Sequence, residues 1–347
     1  MSAAPAAARS ATSYKVSIDG TEFTQPQNDG VESIVVEDHV DMVETLSMRL
    51  NGAEGSPTWN AEIGKVVTVK MGSGSALLFK GEITALEPSW SSDGMCTITL
   101  RALDHAHRLA RGRVTRFFEK KKDSEIATTV GGESGLSVTV DATTEQHAYT
   151  LQRNESNLAF LKRLAARNNY QLAVDDGKLI FKKANFSSAS TTITMGSNLR
   201  SLRMNFNSMD QVTKVIVRGW DIREKKEIVG TASVGDIQSI GGGTVGASLA
   251  QTKFGEHTAY ITDVPVSSQA AATEVAKAEL NRLARQFARG SCTVDGNDAL
   301  RAGTVVEFSG LSQPHNGKYY IISSRHTVTA HAGYLTEITF CGNTLGT

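Results

Sequence analysis

Four histidines, His105, His107, His326 and His331, come nearest in type and spacing to a metal site. His105 and His107 alternate, so on a strand they would share a face. No carboxylate or thiolate stands at a consistent spacing from either pair, and ordinary polar or core histidines are the better reading. Cys96, Cys292 and Cys341 are odd in number and far apart, which suits small buried hydrophobes in strands rather than ligands. Gly241-Gly242-Gly243-Thr244-Val245-Gly246 fits a dinucleotide fingerprint by letter. That chemistry needs a parallel strand–helix–strand unit whose helix N-terminus meets the pyrophosphate, and the flanking sequence is antiparallel in character. A long mobile, Gly-rich loop over 233–255 is expected instead. No Gly-x-Ser-x-Gly elbow, His-Glu-x-x-His motif or phosphate loop occurs, and no carboxylate pair stands out. The expectation is no enzyme, with no catalytic residue, no cofactor and no metal.

The remaining candidates are cationic. Arg108, Arg111, Arg113 and Arg116 lead into Lys120, Lys121 and Lys122, the one locally basic run. As a plain surface it would be a solvated face; as a functional one it would meet an acidic protein across an interface. Lys plus Arg and Asp plus Glu both number 36 in 347 residues, so the chain is formally neutral. Neutrality argues against a protein whose main task is gripping nucleic acid or an anionic membrane. No run approaches the ~18 apolar residues of a membrane span. Residues 1–13 read as a disordered tail without the apolar stretch of a signal peptide, which predicts synthesis in the cytoplasm.

The elements that must position these residues are mostly strands. From Tyr14 to Ala102 short apolar alternations separated by Gly, Asp and Ser predict an antiparallel sandwich or barrel. Between 109 and 190 the pattern changes to α/β. Leu158, Leu161, Leu164 and Ala165 recur at helical spacing behind Ser156 or Asn157, and Asn168-Asn169 can end the helix. Lys162, Arg163 and Arg167 lie off that stripe and join the interface candidates. Two short apolar runs around Asp175-Asp176-Gly177 predict a hairpin. Strands resume after 191, and 267–287 is the longest predicted helix, with Gly290 as its stop.

The end of the chain echoes its beginning. Glu62-Ile63-Gly64-Lys65-Val66-Val67 is matched by Arg301-Ala302-Gly303-Thr304-Val305-Val306. Gly81 followed by Ile83 is matched by Gly317 followed by Tyr319. Gly94, Ile98 and Leu100 are matched by Gly333, Ile338 and Phe340. The expected layout is mainly β (α+β), with two related antiparallel β-barrel, tube-like domains and an inserted small α/β domain. The first barrel covers 14–108 and is completed by 191–211, the insert covers 109–190, and the second barrel covers 212–347.

These pieces together resemble the tail hub family of contractile phages, the late control gene D proteins, which are similar to the N-terminal half of valine-glycine-repeat spike proteins. The resemblance is carried by Glu155-Ser156, Phe160-Leu161, Arg163-Leu164-Ala165, Asp176-Gly177, Leu179 and Phe181. It continues through Leu300, Gly303, Gly317, Tyr319, Arg325-His326 and Gly333-Tyr334. It implies a homotrimer whose six similar domains form a pseudo-sixfold ring between a hexameric tail tube protein and a separate trimeric spike protein. Baseplate wedge or other hub proteins are further implied partners, with nucleic acid only as cargo through the channel and no membrane binding. The implied destination is a phage baseplate or an injection particle. A cell-wall hydrolase and a carbohydrate-binding tail-tip component are the alternatives.

Overall fold

The computed structural model describes residues 13–53, 59–71, 76–92, 95–186, 189 and 191–346. Residues 1–12 of the expected tail, and Asp93 and Gly94 of the repeat match, lie outside the described residues.

Alternating apolar segments build a first repeat from β1 (Tyr14–Ile18), β2 (Thr21–Glu22), α1 (Gln25–Asp29), β3 (Val31–His39), β4 (Thr45–Ala53), β5 (Val66–Met71), β6 (Ala76–Trp90) and β7 (Met95–Leu103). Ile34, Val36, Leu46, Met48, Leu50, Val67, Val69, Ile83 and Leu100 point inward and form its closed core. An α/β block follows, with α2 (Ala106–Ala110), β8 (Val114–Lys122), α3 (Asp123–Glu133), β9 (Ser137–Val140), β10 (Gln146–Glu155), α4 (Asn157–Arg167), β11 (Tyr170–Asp175) and β12 (Lys178–Lys183). Ser156 caps α4 by accepting from the Ala159 amide at 3.2 Å. The apolar stripe of α4, from Leu158 to Ala165, packs into a core with Ile126, Leu172 and Phe181.

The second repeat is interrupted. It opens with β13 (Thr191–Thr194) and β14 (Leu199–Phe206). A second small α/β unit then carries β15 (Lys214–Asp221), β16 (Lys226–Ser233), β17 (Thr244–Val245), α5 (Gly246–Phe254), β18 (Thr258–Ile261) and α6 (Gln269–Ala284). The repeat resumes with β19 (Ala288–Asp295), β20 (Val305–Ser309), β21 (Gly317–Thr329), β22 (Gly333–Gly342) and β23 (Thr344–Leu345).

The order β3-β4-β7-β6-β5-β1 in the first repeat is the order β14-β19-β22-β21-β20-β13 in the second. The local irregularities coincide too. One residue bulges out between Ile83 and Ala85 in β6 and between Ile321 and Ser323 in β21. A second bulge lies between Val31 and Ser33 in β3 and between Leu199 and Ser201 in β14. Bulges re-aim a strand, so their agreement at two places marks a true duplication of the mainly antiparallel β fold. One feature differs: β1 is antiparallel to β5, whereas β13 is parallel to β20. The repeats meet where β21 pairs antiparallel with β3, from Ser323 opposite His39 to Thr329 opposite Ser33, making one 13-stranded sheet.

Four expectations change. The stretch 191–211 does not complete the first repeat, because β13 and β14 pair with β20 and β19. Residues 212–284 are not barrel but a second α/β unit, in which α6 covers β15 and β16 through Ala272, Ala276 and Leu280. The stretch 233–255 is not a structureless loop: it holds β17, paired with β23, and α5. Its ordering groups are distant in sequence, since Asn343 receives the Ile240 amide at 2.8 Å and the Gly246 amide at 2.9 Å. Gly290 stops no helix. It sits in β19, where a side chain would strike the Phe340 ring and the Arg203 carbonyl.

The equivalence is tightest at the strand entries. The Gly64 amide donates to the Ile83 carbonyl at 2.8 Å, and the Gly303 amide to Ile321 at 2.9 Å. Ile83 and Ile321 return their amides to Lys65 and Thr304, each at 2.9 Å. The sequence match was therefore two residues out beyond this point, because Ile83 aligns with Ile321 rather than with Tyr319. Gly64 and Gly303 sit at φ +95° and +83°, a region unfavourable for L-residues, and neither has a crowded Cβ position. Gly64→Ala and Gly303→Ala should each lower stability by roughly 1–2 kcal/mol in urea unfolding. A silent change at one site beside a damaging change at the other would contradict their equivalence.

Candidate functional site

A fold made of two matched repeats has two places where function can reside: the junction that joins them and the strand edges left over. The junction is built around Arg301, in the turn before β20. Its Nε donates to Asp38 Oδ2 at 3.1 Å and its Nη2 to Glu44 Oε1 at 2.5 Å, while Nη1 donates to the Leu78 carbonyl. Asp38 is next to last in β3, Glu44 precedes β4 and Leu78 lies in β6, so one guanidinium of the second repeat ties together three segments of the first. Asp104, at the end of β7, is buried beside them and accepts from the Ala106 amide at 3.0 Å. Burial pushes its carboxyl up to about 7, helped by Asp38, against the pull of the Ala106 amide and Arg301. Burial also pushes Glu44 well above the usual carboxylate range, against the attraction of Arg301.

The α/β block is clamped over this junction. Lys80 meets Asp176 at 2.5 Å, the Leu172 amide donates to Asp41 at 3.0 Å, and Gln171 donates to the Tyr320 hydroxyl. Thus the hairpin β11–β12 touches both repeats. His107 and Arg108 both reach Glu82, the histidine at 2.7 Å. His326 is wholly buried between the Leu300 carbonyl and the Tyr334 hydroxyl, and burial holds its pKa down to about 3. Among the described residues no three His, Cys, Asp or Glu side chains gather as a metal site.

The cationic candidates divide. Arg116 binds Glu133 at 2.5 Å, Gln152 at 2.8 Å and Asn157 at 3.1 Å, and lies over the Phe118 ring. Arg163 binds Glu155 and the Leu151 carbonyl, each at 2.7 Å. Arg167 pairs with buried Asp123, where burial alone would raise the acid but His147, Arg167 and Asn168 bring it down to about 2. Arg108, Arg116, Arg163 and Arg167 therefore have structural work inside the chain. Arg111 and Arg113 are exposed on the turn before β8, and Lys162 is half-buried on α4.

Sequence reasoning missed the Arg301 cluster, although a signal existed: Arg301 stands where the first repeat has Glu62, a charge reversal at matched turns. It also missed the exposed stacked pair Phe117–Tyr149, 5.5 Å between centroids, on the β8–β10 ribbon.

Two outcomes test the junction. Arg301→Met leaves buried carboxylates uncompensated and should cost about 3–5 kcal/mol in denaturant unfolding; a loss within experimental error would show that the cluster holds nothing. Asp104, held up to about 7, keeps its proton in the folded chain where an unfolded aspartate near 3.8 has released it. The folded chain binds more protons in that interval, so this contribution to stability is full below about 4 and is lost as pH rises to 7. Asp104→Asn should flatten that part of the stability–pH curve, and an unchanged slope would contradict the assignment.

Comparison with solved structures places the architecture. The chain is similar to the 43 kDa tail protein of prophage MuSo2 from Shewanella oneidensis, at 16% identity over 95% of this chain and 98% of that one, with a TM-score of 0.70. A tail protein from Neisseria meningitidis MC58 matches at 13% identity over 96% and 97%, with a TM-score of 0.72. A type VI secretion component of E. coli, described as structurally similar to the bacteriophage T4 tail proteins gp27 and gp5, matches at 11% identity over 94% and 76%, with a TM-score of 0.65. The fold is thus of the phage tail type. No curated protein matches the sequence. The family whose model matches is a different one from the late control proteins that the motifs resemble: it is described as the Alg8 N-terminal domain, it covers residues 8–330, and the chain belongs to it.

Proposed function

We propose that this protein is a structural hub of a contractile tail or related injection system, working by assembly and not by catalysis. Three copies form a ring of six similar domains, joining a hexameric tail tube to a separate trimeric spike and enclosing the channel between them. The single observation that carries this reading is the duplication: two repeats of identical strand order, joined edge to edge, present equivalent surfaces twice per chain. A threefold object with doubled domains can meet a sixfold one at every position, which no singly built subunit can do. The tail-type fold of the solved relatives supports the setting.

The chemistry of the junction supports assembly as well. A hydrolase needs an acid open to its substrate, whereas Glu44 and Asp104 are buried and tied to the fold. The exposed cations Arg111 and Arg113 and the Phe117–Tyr149 pair lie on the inserted block, away from the repeats' own strands, and we assign them to contacts with surrounding baseplate proteins. The chain is made in the cytoplasm and incorporated there into a virion or injection particle. Among the described residues no helix is long and apolar enough to cross a membrane.

Light scattering of the purified protein should give the mass of three copies, and a larger complex containing three copies when its tube and spike proteins are added. A monomer under all these conditions would overturn the hub reading.

A further inference from the structure

One cavity lies where all four units of the chain meet. The first repeat contributes Val40, the α/β block Asn169, the end of α6 Arg285, and the second repeat Arg289 and Ile322. Its volume is about 250 Å³, just below the ~300 Å³ at which sites for drug-sized molecules begin, so it suits a smaller ligand. The buried side chains of Tyr320 and Cys341 form its floor, while the exposed Arg282 and Arg289 mark its mouth.

This cavity gathers more cationic charge than the chain neutralises. Arg282 is spent on Glu279, which accepts from its Nε and Nη2 at 2.7 Å each. Arg285, half-buried, donates to the neutral Asn169 Oδ1 at 2.9 Å. Among the described residues neither Arg285 nor Arg289 has an ion-pair partner, and Asp41 is the one carboxylate in the cavity wall. Asp41 accepts the Leu172 amide at 3.0 Å instead, and burial raises its carboxyl above the usual range. A helix C-terminus favours cations, which accounts for Arg282 and Arg285. Arg289 stands on a strand opposite Cys341, where no helix end calls for a charge. The rest of the wall is apolar: Phe186 packs edge-on against Tyr320, 5.4 Å between centroids, in a cluster with Val40 and Ile322.

We propose that this cavity binds a small organic phosphate monoester, its head held by Arg285 and Arg289 and its apolar body laid against Phe186, Val40 and Ile322. The planar fork of a guanidinium matches phosphate oxygens in pairs, and two unpaired guanidiniums balance the two charges of a monoester. Inorganic phosphate would use the cationic part and leave the apolar wall uncovered. The site lies within one chain, so the inference goes beyond the ring proposed above and does not depend on it. Because the wall comes from all four units, a bound ligand would hold them against one another and stabilise the folded chain as it fills the site.

Phenyl phosphate is the probe, titrated calorimetrically into the full chain at constant ionic strength and mildly alkaline pH, where a monoester carries both charges. It should bind once per chain and more tightly than inorganic phosphate. Arg285→Met and Arg289→Met should each weaken it by roughly tenfold, the loss of a charged hydrogen bond. Arg223→Met, on the turn between β15 and β16, should leave it unchanged. Phe186→Ala should bring phenyl phosphate down to the affinity of inorganic phosphate. Circular dichroism checks that each variant is folded, and Arg289→Met decides the matter alone if Arg285→Met is not. Absence of binding, or binding that Arg289→Met leaves unchanged, overturns the site. Equal affinity of the wild-type chain for phenyl phosphate and inorganic phosphate overturns the role of the apolar wall. Tighter binding of benzoate, which carries a single charge, overturns the choice of phosphate.

Discussion

The structure depends on one ladder, the antiparallel pairing of β21 with β3. Without it the chain would be two small β units, each with an open edge over its core. With it, seven residue pairs make a single sheet, and Val328 of one repeat becomes part of the other's core. Arg301 locks the end of that ladder by binding Asp38 and Glu44 at once. Partly buried charges of this sort add little net stability but penalise any other arrangement heavily, since a shifted register would strand two carboxylates without a cation. Ladder and cluster together fix the relative placement of the repeats, and any ring built from this chain inherits that geometry.

Duplication preserved the frame and changed the filling. Strand order and both bulges are kept, while the Gly81 position of the first repeat is filled by Tyr319 in the second. The insertions fall at different points: one α/β unit lies between β7 and β13, the other between β14 and β19. Both leave the shared sheet uninterrupted and hang from its periphery. The two units also touch, where Arg285 donates to Asn169 at 2.9 Å and Ser268 to Glu145 at 2.7 Å.

Much of the fold was legible in the sequence where local pattern decides it. Helix α4 and its hairpin follow from a Leu stripe, a Ser cap and an Asp-Gly turn, all within 30 residues or so. The duplication was visible through matched Gly-plus-strand segments, but its register slipped by two residues between the strand entries and β6, where one loop is longer than the other. What local pattern cannot reveal is partner choice: β13 and β14 follow the block in sequence, yet their hydrogen bonds go to strands some hundred residues later. For the same reason the Gly-rich stretch before α5 read as a loop, although Asn343 orders it from the far end of the chain. Of the cationic candidates, several belong to ion pairs inside the block, a fact that depends on where Glu133, Glu155 and Asp123 lie in space. The Arg301 cluster emerges only once the repeats are aligned as structures.

The proposed ring needs three chains, each supplying two similar domains that the β21–β3 ladder holds in fixed relation. End-on electron micrographs of the purified protein test it most directly. Averages should show a closed ring with six similar lobes, exact threefold symmetry and a central opening. Isolated two-lobed particles, or a closed assembly of any other symmetry, would contradict the claim.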